Sequence, residues 1–168
     1  VSREELIDRA AELIQKYPIL FIEDLMSEDD WDGFIKAHQR LKGVKLIGDD
    51  FIVTNQKRLQ KAHECDALDG FILKPNQVGT ITEALDTHAY AQSYGMITRP
   101  SGRSGGAVGD IVADLALALE APISKNGAPK SGERLDKINS LLRASSENPG
   151  SHLRDLTELF HPAYFQHP

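Results

Sequence analysis

Four charged residues follow short apolar runs at a nearly constant interval along this chain. They are Glu23, Asp49, Lys74 and Lys125. The first two are 26 residues apart, the next step is 25, and the last is 51, or two further steps. About 25 residues suffice for one strand, one crossover helix and two short loops. Because the C-terminal ends of parallel strands share one face of an α/β barrel, the spacing predicts a single active-site rim.

The types of these residues indicate metal-assisted proton abstraction. Two carboxylates on adjacent strands, Glu23 and Asp49, suit a hard divalent ion such as Mg²⁺, which prefers oxygen ligands. One lysine can act as a base if burial or neighbouring positive charge lowers its pKa, and the other can bind an anion. Taken singly, such residues are more often turn residues or solvated charges. The interpretation as an active site therefore depends on all four residues occurring together at this spacing.

A glycine-rich loop at residues 101–106 adds a candidate phosphate site. Its sequence is Ser-Gly-Arg-Ser-Gly-Gly, and a helix is predicted to follow it. Backbone N–H groups before a helix, together with Arg103 and Ser104, can bind a phosphate. A metal, a base and a phosphate site together indicate removal of a proton next to a carboxylate, with the metal stabilising the enolate.

Predicted helices alternate with the apolar runs that position these residues. The runs lie at 19–22, 44–47, 71–73, 96–98 and 122–124. Helices are predicted to begin at the capping residues Ser2, Asn55, Thr80 and Ser131. Strands joined by helical crossovers imply a parallel sheet, and runs without strict alternation are typical of strands covered on both faces. The sequence therefore predicts an α/β fold with five βα units after a first helix.

The predicted strands are too few for a closed barrel, since eight strands take roughly 250 residues. The chain also opens at Val1 directly into a helix. We therefore expect a processed or truncated product with part of a barrel at residues 1–148. A C-terminal tail at residues 149–168 is predicted to contain a short helix over 153–160. Open first and last strands predict association into a homo-oligomer such as a dimer.

Composition restricts the class of protein further. The 168 residues carry a net charge of −6, which argues against non-specific nucleic-acid binding. No apolar stretch approaches the ~20 residues of a membrane span, and the single cysteine, Cys65, excludes an internal disulfide. We expect a cytoplasmic protein. No zinc or nucleophilic site is assigned to the histidines, because none follows a predicted strand.

The chain resembles the enolase (phosphopyruvate hydratase) family, specifically its C-terminal barrel domain, over about residues 2 to 144. The matching segments keep the family's spacing apart from single-residue slips. They include Ile22-Glu-Asp24, Glu28-Asp-Asp-Trp31, Gly48-Asp-Asp50, Leu73-Lys74, Gly127-Ala-Pro129 and Asn139-Ser-Leu-Leu-Arg143. The resemblance implies an α/β fold that is a partial (βα)8 TIM barrel of the enolase superfamily.

The resemblance also implies an activity, the reversible Mg²⁺-dependent dehydration of 2-phosphoglycerate to phosphoenolpyruvate. By matching position, Glu23 and Asp49 are the implied metal ligands. Lys74 is the implied base that takes the proton from C2. Lys125 is a second implied catalytic residue, which holds the substrate carboxylate and helps to stabilise the doubly charged intermediate. The implied phosphate ligands are Arg103 and Ser104.

Some positions depart from the family pattern. The family's loop histidine and glutamate are replaced by Gly102 and Gly106, and Arg99-Pro100 replaces the apolar end of a strand. The family's third metal-binding aspartate, general-acid glutamate and mobile loop precede the segment that this chain matches. The isolated chain is therefore expected to be inactive. Two alternatives stay open: an enolase-like enzyme for a related phosphonate or carboxylate, and a catalytically silent enolase-like binding protein.

Overall fold

Helices and short strands alternate along the chain, which we describe from a computed structural model for residues 1–157. The elements, in chain order, are α1 (Arg3–Lys16), β1 (Phe21–Glu23), α2 (Trp31–Arg40), β2 (Lys45–Gly48), α3 (Gln56–Glu64), β3 (Gly70–Leu73), α4 (Pro75–Val78), α5 (Ile81–Ser93), β4 (Ile97–Pro100), α6 (Val112–Ala118) and α7 (Gly132–Glu147). Two compact units divide the described residues: 1–97 with 155–157, and 98–154.

The predicted capping residues begin their helices in the structure. Ser2 and Glu5 form a reciprocal capping box, in which Ser2 N–H donates to Glu5 Oε2 at 2.7 Å and Glu5 N–H donates to Ser2 Oγ at 3.2 Å. The side chains of Asn55 and Thr80 accept hydrogen bonds from the N–H groups three residues later. Each bond satisfies a donor that has no partner within its own helix.

The described residues form a four-stranded sheet with the order β1-β2-β3-β4. β1 and β2 are parallel with Phe21 opposite Lys45, and β2 and β3 are parallel with Ile47 opposite Gly70. All of β3 is buried, as expected for a strand covered on both faces. Ile47, Ile72 and Ile97 form a core cluster in which consecutive strands each contribute one isoleucine.

Gly70 permits the close approach of β4 to β3. A Cβ at this position would lie 2.7 Å from Cβ of Ile97. The Ile97 N–H donates to the Asp69 carbonyl at 2.9 Å, so the backbones are already held together at this point. A side chain at residue 70 would have to push the two strands apart.

The prediction of a fifth strand at 122–124 is wrong. Among the described residues, the pairing there is reduced to an isolated parallel bridge between Ser101 and Lys125. Lys125 N–H donates to the Pro100 carbonyl at 2.9 Å, so the proline in β4 contributes an acceptor although it has no donor. Ala121 N–H still donates to the Ala116 carbonyl of α6, and Pro122 has no N–H to offer a neighbouring strand. Pairing with β4 can therefore begin only beyond Pro122, and it is observed at Lys125.

Two further predictions concern the ends of the chain. Residues 151–157 are neither helix nor strand, and the remainder of the predicted tail helix lies outside the described residues. The domain boundary between residues 148 and 149 stays a prediction. Within residues 1–157, no helix combines the length and the apolar character needed to cross a membrane.

Candidate active site

A buried ion pair joins the residues that follow β2 and β3. Lys74 Nζ donates to Oδ1 of Asp49 at 2.7 Å and to Oδ2 at 2.5 Å. The two residues are only 9% and 6% exposed, respectively. Their separation of 25 positions in the sequence corresponds to one strand-helix-strand step, because β2 and β3 are parallel neighbours. The ends of the two strands therefore bring a lysine and a carboxylate into direct contact.

Glu23 joins this pair from the last position of β1. Burial is the largest influence on Asp49 and raises its pKa, whereas the hydrogen bond and charge of Lys74 and the hydrogen bonds of Gln77 and Glu23 lower it. The lowering effects win, so the pKa of Asp49 lies below its ordinary value. Asp49 is therefore held as a carboxylate that contacts both a lysine and a second carboxyl group.

Asp24 orients the loop that carries Asp49. Its two carboxylate oxygens accept hydrogen bonds from the N–H groups of Asp49 and Asp50, each at 2.8 Å. Burial, the largest influence, raises the pKa of Asp24 above its ordinary value, although the two N–H donors oppose this rise. The backbone of Asp24 is left-handed with φ of 45°, a conformation that only a few non-glycine residues adopt. Asp24, the residue after β1, therefore holds the backbone that follows β2 through two hydrogen bonds.

The hydroxyl of Thr54 and the side-chain amide of Gln77 form hydrogen bonds with the two residues of the ion pair. Thr54 Oγ1 accepts from the N–H of Lys74 at 2.9 Å and contacts Gln77 Oε1 at 2.9 Å. Gln77 Nε2 in turn donates to Asp49 Oδ1 at 3.2 Å. Thr54 is fully buried with φ of 56°. The sequence analysis missed Thr54, because nothing local marks a threonine whose hydrogen-bond partners lie 18 or more residues away.

The other predicted site residues belong to the second unit. Arg103 and Ser104 are exposed in the glycine-rich loop, and Lys125 is half-buried with its backbone paired to Ser101. Helix α6 begins only at Val112, so the N–H groups of residues 101–106 do not form its first turn. Any phosphate at this loop would be bound by the loop itself rather than by a helix N-terminus.

The donor set of the first unit is compatible with a hard divalent ion. Glu23 and Asp49 offer carboxylate oxygens, and Mg²⁺ commonly uses one or two protein carboxylates with water and substrate oxygens. In the part of the chain described here, no three or more His, Cys, Asp or Glu side chains group so as to hold a metal. Any ion here would therefore take its remaining ligands from outside this set.

The family follows from comparison with known proteins. A family model described as "Enolase, C-terminal TIM barrel domain" matches residues 1–153. The chain belongs to the enolase family. This result confirms the resemblance and the predicted fold class, which is part of an α/β barrel. The barrel's parallel strands explain why residues from β1, β2 and β3 meet at one end of the sheet.

Individual enolases agree with this assignment. The chain is 44% identical to the enolase of Methanococcus maripaludis over 149 residues, covering 88% of this chain and 34% of the relative. It is 43% identical to the enolase of Aeropyrum pernix over 161 residues, covering 92% and 37%. For the enolase of Thermococcus gammatolerans, the identity is 42% over 152 residues, covering 89% and 35%. The chain thus spans about a third of the length of these curated relatives.

Proposed function

We propose that this chain is the C-terminal part of a Mg²⁺-dependent enolase, a lyase that reversibly dehydrates 2-phosphoglycerate to phosphoenolpyruvate. The observation that carries the proposal is the contact of Lys74 with Asp49 beside Glu23. A candidate base and two candidate metal ligands come from consecutive strands in a member of the enolase family. A lysine or histidine base with one or two Mg²⁺ ions is the known pattern of enolase-superfamily sites, and this chain has the residue types for it.

In this proposal Lys74 removes the proton from C2 of the substrate. Asp49 positions Nζ, while Thr54 accepts the backbone N–H of the same lysine at 2.9 Å. A base held at both its backbone and its side chain has little freedom to lose when the substrate arrives. Mg²⁺, bound by Glu23 and Asp49, would supply positive charge that stabilises the enolate.

The resemblance assigns the remaining substrate contacts to the second unit. Lys125 would hold the substrate carboxylate, while Arg103 and Ser104 would bind the phosphate. An arginine and a hydroxyl supply charge-assisted and neutral hydrogen bonds to phosphate oxygens. Both side chains are exposed and thus accessible to a ligand. The substrate class proposed is a small phosphorylated carboxylic acid.

The cellular setting belongs to the same proposal. The reaction belongs to glycolysis and gluconeogenesis, and a cytoplasmic location goes with it. A homo-oligomer such as a dimer stays a prediction, motivated by the position of β1 at the end of the strand order. Analytical ultracentrifugation checks this point, and a monomer at high concentration contradicts it.

The test measures phosphoenolpyruvate formation from 2-phosphoglycerate and Mg²⁺ by the full-length protein that contains this chain. Lys74→Ala should lower kcat at least about 100-fold, because a positioned base contributes about that much or more. Lys57→Ala removes an exposed lysine from α3 and serves as the matched control. Asp49→Asn should weaken Mg²⁺ binding in isothermal titration calorimetry.

The outcomes distinguish the candidate functions. Equal activity of the Lys74 and Lys57 variants would contradict the proposed base. A second candidate function is that of an enolase-like enzyme for a related phosphonate or carboxylate, and the absence of a side chain at Gly102 favours it. Mg²⁺ binding with turnover of a phosphonate analogue but not of 2-phosphoglycerate would support it. Absence of both metal binding and turnover would support a silent binding protein.

A further inference from the structure

A buried lysine lies against the glycine-rich loop within the second unit. Lys137 of α7 is 3% exposed, although lysine is almost never fully buried without a partner. Its Nζ forms an ion pair with Asp110 at 2.5 Å and donates to the Glu133 carbonyl at 3.0 Å. The charge that burial would otherwise make costly is therefore neutralised within the unit.

The same pair lies next to two loop glycines. A Cβ at Gly102 would lie 2.9 Å from Cε of Lys137 and 3.3 Å from its Nζ. A Cβ at Gly106 would lie 3.4 Å from Oδ2 of Asp110. Lys137 and Asp110 therefore occupy space that side chains at these two positions would need. Arg103 and Ser104 lie between the two glycines in the sequence.

Helix α7 holds the segment after the loop at a second point. The carboxylate of Asp136 accepts a hydrogen bond from the Gly109 N–H at 2.8 Å. Consecutive residues of α7 thus contact consecutive residues of the connection to α6, with Asp136 on Gly109 and Lys137 on Asp110. These contacts attach a segment that would otherwise cost entropy to order because it is rich in glycine.

We propose that Lys137 and Asp110 are positioning residues for the loop that presents Arg103 and Ser104. The pair takes the place of the side chains missing at residues 102 and 106 and holds the loop ordered before a ligand binds. This inference rests on the proposed function, in which the loop binds the substrate phosphate. The pair does not bind the phosphate itself, because Lys137 is buried and its charge is matched by Asp110.

The test compares three variants of the full-length protein by hydrogen exchange and steady-state kinetics. Lys137→Met and Asp110→Asn should each increase amide exchange at residues 101–109. They should raise KM for 2-phosphoglycerate at least about tenfold while changing kcat less than about threefold, because the binding loop must first be ordered. Glu147→Met is the control, since Glu147 is an exposed residue at the far end of the same helix. It should change neither quantity.

A steric variant tests the same pair without altering its charges. The added methyl of Gly102→Ala should push Cε of Lys137 aside and separate its Nζ from Asp110, with the same effect on exchange. Because both changes break one ion pair, combining Gly102→Ala with Lys137→Met should add little to either single effect. A fully additive double variant would contradict the inference.

The two proposals fail in different ways. Unchanged exchange at 101–109 in Lys137→Met and Asp110→Asn overturns the positioning role, whatever the activity of the wild-type protein. Absence of turnover by the wild-type protein overturns the proposed function, while increased exchange in the variants would still support the ordering of the loop. If Lys137→Met fails to fold, Asp110→Asn and Gly102→Ala provide the same readout.

Discussion

Lys74 and Asp49 form a buried ion pair between the ends of two adjacent parallel strands, with Nζ 2.7 Å from Oδ1. Each charged group stabilises the other in its buried position. Removing one partner leaves the other charge buried, with its solvation lost and no compensating attraction. The residues proposed for catalysis are thus also residues on which the stability of the first unit depends.

The first prediction concerns this pair. Asp49→Asn should lower the free energy of unfolding by about 3–5 kcal/mol, because it leaves the Lys74 ammonium buried without its counter-charge. Asp50→Asn is the control, since Asp50 is the exposed neighbour in the same loop. Urea denaturation measures both variants. Equal stability of the two would show that the ion pair is not maintained in solution.

The second prediction concerns Thr54. Thr54→Val should lower the free energy of unfolding by about 1–3 kcal/mol, because the buried Lys74 N–H loses its hydroxyl acceptor and the half-buried Gln77 side chain loses its hydroxyl partner. Thr82→Val, at an exposed position of α5, is the control. Both substitutions replace a hydroxyl by a methyl, so they differ mainly in burial. Thermal and urea unfolding that do not distinguish the variants would contradict the hydrogen-bond network.

The third prediction concerns the contact between β3 and β4. Gly70→Ala should destabilise the protein by about 1–3 kcal/mol, because the methyl would overlap Ile97. Gly150→Ala is the control, since a Cβ added there would meet no atom within 4 Å beyond the adjacent residues. Chemical denaturation compares the two. A Gly70→Ala protein as stable as the control would mean that the strands separate at little cost.

The fourth prediction concerns pH. The pKa of His38 lies above its ordinary value, chiefly because His38 is hydrogen-bonded to Asp69. Burial opposes this rise. The charge of Asp66 also raises the pKa of His38, and the charge of Lys42 lowers it. Lys45 also faces Asp69, at 2.8 Å. His38 therefore contributes stability that is fully present below its unfolded pKa of about 6.5. That stability is lost as the pH rises through the higher folded pKa.

His38→Gln should remove this loss of stability on the alkaline side. The control, His88→Gln, should act with the opposite sign, because burial lowers the pKa of His88 and its contribution is lost as the pH falls. The free energy of unfolding of each variant should be measured from about pH 5 to about pH 9, a range that extends to both sides of the ordinary histidine pKa of about 6.5. The change of this free energy with pH checks both expectations. Parallel profiles for His38→Gln and the wild type would contradict the assignment.

Much of the secondary structure could be predicted because its signals are local. Ser2, Asn55 and Thr80 cap their helices through bonds that span three residues. The interval between Asp49 and Lys74 reflects the length of one crossover, so it predicted that both residues follow neighbouring strands. Family motifs then implied chemical roles for these residues, which remain proposals.

Residues 122–124 do not form the predicted fifth strand. Residues 122–124 have the apolar character of a strand, yet a strand also needs free N–H and carbonyl groups opposite a partner. Ala121 already donates its N–H to α6 and Pro122 has none. The use of the Ala121 N–H depends on where α6 ends, which a pattern of apolar residues does not contain.

The sequence by itself determined the alternation of helices and strands, the family, and the polar residues that follow each strand. Tertiary structure decided which of those residues touch and which polar side chains are buried. Threonine and lysine are residue types that usually lie at the surface, yet Thr54 and Lys137 are both buried. Their burial is possible because groups distant in the sequence form hydrogen bonds with them. The physical reason is that burial of a polar group is stable only when its partners are present, and those partners are assembled by the fold.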